Sequence, residues 1–128
     1  MSQSADFSSI FHGNINKITE DNPYFRRILA TTPNMQLVVM SLAPFGDIGF
    51  EIHPYTTQFI RVEKGIGMAI VNNVSYELFD GVAIIIPLNT KHNIINTSQY
   101  EPLKLYTIYS PPNHPTNRLD VIKPQYED

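Results

Sequence analysis

A series of short β-prone runs, Gln36–Leu42, Gln58–Val62, Ile66–Val71, Val74–Leu78, Val82–Ile86, Asn93–Asn96 and Leu103–Tyr109, is interrupted by glycine, proline or asparagine in almost every gap. No stretch repeats its apolar residues at helical spacing for long, so the pattern is one of strands. Strands this short hide their apolar faces by packing one sheet on another. The expectation is an all-β protein of two antiparallel sheets. Asn72-Asn73 lies between two of the runs, and asparagine tolerates the positive φ that a two-residue hairpin turn demands. A further strand is expected at Phe25–Thr32, in which Arg26 and Arg27 point to opposite faces and read as solvated charge or an interface pair.

The residues that carry chemistry gather around two of the gaps. Glu51 and His53 are two apart, so in extended chain they share a face that Ile52 does not. Pro54 breaks that run, Gln58 opens the next strand, and a turn of this length folds Gln58 back beside His53. Downstream, Val82–Ile86 is closed by Pro87 and a polar turn, after which comes His92.

The stretch Gly81–Asn96 resembles the second half of the cupin signature, G-x5-P-x-G-x2-H-x3-N. Gly81, Pro87, His92 and Asn96 are in place, and Asn89 stands where that family has glycine. The stretch ending at Gly65 is similar to the first half, with Gln58 at the family's glutamate, His53 at its second histidine and Glu51 at its first. This permuted set resembles a branch of small cupins labelled mannose-6-phosphate isomerase-like, and the likeness extends over Gln36–Leu42, Gly49–Phe59 and Leu103–Pro112. Phe45 departs from that branch, which usually has glycine there.

The resemblance implies a jelly-roll barrel of two antiparallel sheets, holding a divalent metal through Glu51, His53, Gln58 and His92. Two imidazoles, one carboxylate and one amide carry the same single negative charge as the family's usual three histidines and one glutamate. The extra oxygen donor tilts preference towards manganese or ferrous iron, with zinc admissible. The resemblance further implies a sugar or sugar phosphate as substrate and an isomerase- or epimerase-like reaction with the metal as Lewis acid. Glu51 is the candidate base, and Tyr106 or Tyr55 the candidate proton relay. Two other readings stay open: a non-catalytic ligand-binding or structural cupin, and an iron-dependent dioxygenase. Asn96 reads as a turn-stabilising residue, Lys91 as an exposed turn lysine and His12 as an exposed or packing histidine. A homodimer is implied, since exposed sheet edges are commonly covered by a second subunit.

Length fits one domain, with residues 1–21 as a tail or edge segment, 22–112 as the barrel and 113–128 as a C-terminal tail, either coil or a swapped arm. No apolar run approaches the roughly 20 residues of a membrane span. With a net charge of -3 and no basic stretch, the chain offers no electrostatic footprint for nucleic acid. Neither membrane nor nucleic acid is expected as a partner. The opening Met1–Ser9 lacks the character of a leader, and the cytoplasm is the expected location.

Overall fold

The computed structural model describes residues 10–125. In chain order its elements are α1 (Ile15–Asp21), β1 (Arg26–Thr31), β2 (Gln36–Leu42), β3 (Thr57–Lys64), β4 (Gly67–Val71), β5 (Val74–Leu78), β6 (Ala83–Ile86), β7 (His92–Asn96), β8 (Leu103–Ser110) and β9 (Leu119–Asp120). A six-stranded sheet runs β6-β3-β8-β2-β1-β9 and a three-stranded sheet runs β5-β4-β7, with every strand pairing antiparallel. In β3 and β8 burial alternates residue by residue, the period of strands with one face inward. Ile60, Val62, Leu103 and Leu105 from the larger sheet thereby meet Ala69, Leu78 and Ile94 from the smaller one. This is the expected two-sheet β-barrel.

The hairpin between β4 and β5 turns on Asn72 and Asn73 at φ 49° and 67°, as their side-chain chemistry implies. Phe45, where the similar branch has glycine, adopts φ 59° in the left-handed region with its ring exposed. Asn96 is fully buried and ties three segments together. Its amide donates to the carbonyls of Leu42 (3.0 Å), Ala43 (3.1 Å) and Glu101 (2.9 Å), and its oxygen accepts from Ser98 N at 2.8 Å. Asn96→Ala strips partners from several buried backbone groups at once and should lower unfolding free energy by about 2 kcal/mol. Urea denaturation measures this, and a midpoint unchanged from native would show that water replaces the side chain.

The structure corrects the strand reading in four places. Where a tail or edge strand was expected before residue 22, Ile15–Asp21 is helical, capped by the Asn14 side chain accepting from Lys17 N at 3.0 Å. A helix of two turns is too short to display its period in sequence. Glu51 and His53 do not form a strand of their own; Asp47 and Glu51 make isolated bridges to Ile95 and His92 along the free edge of β7. Arg26 is not solvated. It is 1% exposed and its Nη1 lies 2.8 Å from Asp120, which Arg118 also contacts at 3.0 Å, while Arg27 alone faces solvent. The segment after His114 is not coil throughout, because Leu119–Asp120 adds β9 to the edge of β1. No helix among the described residues is long and apolar enough to cross a membrane.

Candidate metal centre

Backbone pairing brings the first two residues of the site together. Glu51 N donates to the His92 carbonyl at 2.9 Å and His92 N donates back to the Glu51 carbonyl at 3.0 Å, which sets the two residues directly opposite. The approach is braced by Asn93, whose side chain accepts from Gly49 N at 2.8 Å and donates to Asp47 at 2.9 Å. Gly49 has φ +102°, a conformation that favours glycine, so the chain can bend into the bridge there. Asn89 serves the same end on the other side: at φ 58° it stands where the signature it resembles has glycine, and its N–H holds the His53 carbonyl at 2.7 Å.

His53 falls two residues after Glu51 and on the same face, with Ile52 turned outward and 53% exposed. The ligating atoms of Glu51, His53 and His92 all lie within 4.8 Å of one another. Gln58 reaches the interior from β3, where it is paired with Tyr109 of β8 and Ile86 of β6. Its amide nitrogen donates to Thr107 Oγ1 at 3.0 Å, which leaves Oε1 as the group with no assigned task. Three atoms, His53 Nε2, His92 Nε2 and Gln58 Oε1, are buried without a hydrogen-bond partner. Lone pairs buried in this way each cost about 1–3 kcal/mol unless something accepts them. A cation does so, and the residues present therefore fit one.

Electrostatics prepare the same atoms. Burial pushes the Glu51 carboxyl up, but the neighbouring His53, Arg26 and His92 outweigh it and hold the carboxyl below its ordinary range. His53 Nε2 and Glu51 Oε1 are 3.3 Å apart, without the alignment of a hydrogen bond. His92 is held below its ordinary value, first by burial and then by His53, against the opposing pull of the Thr90 carbonyl and Glu51. Its Nδ1 lies 2.7 Å from Thr90 O. A neutral ring that donates there keeps its proton on Nδ1 and turns the Nε2 lone pair to the site.

Tyr106, read from the sequence as a proton relay, is not at this centre. It lies on the opposite face of β8, where its ring meets Phe59 at 6.2 Å. Tyr55 is 81% exposed, and Lys91 stacks over Phe50 at 5.0 Å on the surface. The tyrosine that faces inward is Tyr109, whose ring meets His53 edge-on at 5.7 Å and 87°. Tyr106 and Tyr109 are three apart on one strand and so take opposite faces; only the pairing of Gln58 with Tyr109 decides which of them is inside. His114 and Thr107 complete the surroundings; Thr107 lies inside the Leu103–Pro112 stretch of the resemblance, but neither was read from the sequence as a site residue. A cleft of about 590 Å³ lined by Glu20, Asp21, Lys64, Glu101 and Lys104 shares no residue with this centre.

Comparison with known proteins matches residues 38–109 to the family model described as a cupin domain. The chain is 46% identical over 121 residues to uncharacterized protein L612 of Acanthamoeba polyphaga mimivirus, covering 92% of this chain and 76% of that protein. It is 45% identical over 108 residues to uncharacterized protein YrkC of Bacillus subtilis, covering 80% of this chain and 58% of that protein. The crystal structure of BH2720 from Bacillus halodurans superposes with a TM-score of 0.88 at 40% identity, covering 94% of this chain and 95% of that one.

Proposed function

Since this chain belongs to the cupin family, we propose that it is a metal-dependent cupin of the mannose-6-phosphate isomerase-like branch, acting on a small polar substrate such as a sugar or sugar phosphate. The observation that supports this is the convergence of Glu51, His53 and His92, whose ligating atoms lie within 4.8 Å of one another, with both histidine Nε2 atoms buried and without a hydrogen-bond partner. Glu51, His53, Gln58 and His92 would hold the ion, and their oxygen-rich donor set favours manganese or ferrous iron over copper and nickel, with zinc admissible. When bound, the metal supplies Lewis-acid polarisation of a carbonyl or hydroxyl on the substrate.

The chain's own groups do the rest. Glu51 is ionised at neutral pH, so it offers an oxygen to the ion and a base to a substrate proton. His92 is neutral and keeps its lone pair available. Tyr109, rather than Tyr106, is the tyrosine whose ring meets a ligand histidine. The test is elemental analysis of protein purified without chelators. Near-stoichiometric manganese or iron is expected, and absence of any bound metal after reloading would sink the reading. In the same assay Gln58→Glu should tighten binding, because a carboxylate holds a cation more strongly than a neutral amide; weaker binding would mean that Oε1 faces elsewhere.

A non-catalytic binding cupin is the second reading, favoured by one observation: among the described residues Glu51 is the sole carboxylate in the cluster and lies against His53, so none of them supplies a separate acid–base pair beside the ligands. In either case a homodimer is proposed. β5 and β6 are edge strands of their sheets, and they expose Val74 (50%), Tyr76 (47%) and Ile85 (64%). Sedimentation should give twice 14.6 kDa, and a species of that single mass would remove the dimer from the proposal.

A further inference from the structure

The two histidines of the centre are held by different means. A metal-binding imidazole is ordinarily oriented by a hydrogen bond from the ring nitrogen that faces away from the metal. His92 has one, to Thr90 O at 2.7 Å. For His53 the structure shows no such bond from Nδ1 to another described residue, and its contact with Glu51, at 3.3 Å, involves the same Nε2 that would face the ion.

What touches His53 is a row of rings. His92 lies on one side of His53, with centroids 5.2 Å apart, and Tyr109 meets it edge-on at 5.7 Å. His114 in turn meets Tyr109 edge-on, at 5.2 Å and 85°. His114 is anchored by an unusual grip on its main chain. Gln36, fully buried, accepts from Asn113 N at 3.2 Å and His114 N at 3.0 Å, and donates to His114 O at 2.8 Å. The segment then continues to Asp120, which is fixed to Arg26 on β1. Edge-on ring contacts are directional, so a ring pinned at one end of the row constrains the tilt of those that follow.

We propose that His114 is a positioning residue of the metal centre, acting through Tyr109 to set the ring of His53. The proposal rests on the metal reading above. It makes Gln36 and the segment after Ser110 part of the site's support, although none of these residues touches the ion.

The test compares the native protein with His114→Leu, which keeps bulk, and His114→Phe, which keeps the ring. Zn²⁺ affinity is measured by competition with a chromophoric chelator, on proteins whose folding is checked by circular dichroism. The leucine variant should bind Zn²⁺ roughly 2- to 10-fold more weakly, the range that loss of one edge-on ring contact implies, and the phenylalanine variant should stay within about twofold of native. In the metal-free proteins, the imidazole ¹⁵N signals of His53 should move in the leucine variant and keep their native positions in the phenylalanine one. Native affinity in the leucine variant, or equal weakening in both, overturns the proposal while leaving the metal reading intact. Failure of the native protein to bind Zn²⁺, Mn²⁺ or Fe²⁺ is a different failure: it removes the metal reading, and this inference falls with it.

Discussion

Alanine at both His53 and His92 is expected to abolish metal retention and yet leave a folded barrel. The two substitutions remove both imidazoles from the cluster, so only Glu51 and the neutral amide of Gln58 remain to face a cation. Loss of a single supporting residue behind a ligand costs roughly 10- to 100-fold in metal affinity, and loss of two ligands should cost far more. Elemental analysis beside the native protein reads this directly. Stability supplies an independent check. In the metal-free native chain both Nε2 atoms are buried without partners, each at a cost of about 1–3 kcal/mol. Removing them relieves that cost while sacrificing packing against Tyr109. The metal-free variant should therefore lie within about 2 kcal/mol of the metal-free native protein. Unchanged metal stoichiometry would sink the ligand assignment, and a collapse of the fold would show that the two rings are chiefly structural.

Acid should unfold this protein earlier than a barrel without buried histidines. Burial, then the charges of Arg26 and Arg118, push His114 down to about 3 from the ordinary 6.5, against a small opposing pull from Glu51. A depressed histidine binds its proton in the unfolded chain before it does so in the folded one. Stability is therefore complete above about pH 6.5 and declines as pH falls from there towards 3. Three and a half pH units would be worth nearly 5 kcal/mol at about 1.4 kcal/mol each, and the ring's residual exposure reduces this to about 3 kcal/mol. His92, also depressed, and Glu51, whose carboxyl is held low, contribute with the same sign, Glu51 chiefly below the ordinary carboxylate range. His114→Phe should flatten the fall in melting temperature between pH 6.5 and 4. A slope identical to native would show that His114 is not the group that titrates.

The runs that became β2, β3, β4, β5, β6 and β8 were legible because strand burial has a period of two and their ends carry glycine, proline or asparagine. The hairpin at Asn72-Asn73 was legible for the same local reason. The face shared by Glu51 and His53 was legible from spacing, since a two-residue offset in extended chain puts side chains on one side, whereas the place of His92 beside them was implied only by the resemblance to the cupin signature. Tyr106 shows the limit. Any strand has two faces, and a sequence alternating isoleucine, tyrosine and leucine does not say which face is inside. Arg26 shows another: a charged residue reads as exposed until a partner appears, and its partner Asp120 is 94 residues away.

Local rules were therefore enough for the strands, for the left-handed turns at Asn72 and Asn73, and for the face shared by Glu51 and His53, because each depends on the conformation of a few adjacent residues. Only the tertiary structure decided that Tyr109 and not Tyr106 lines the interior, and that Gln58 gives its nitrogen to Thr107 and keeps its oxygen free. It alone decided that the C-terminal segment returns to place His114 against Tyr109. Each of these depends on which strands become neighbours, and that choice is made by packing across distant parts of the chain.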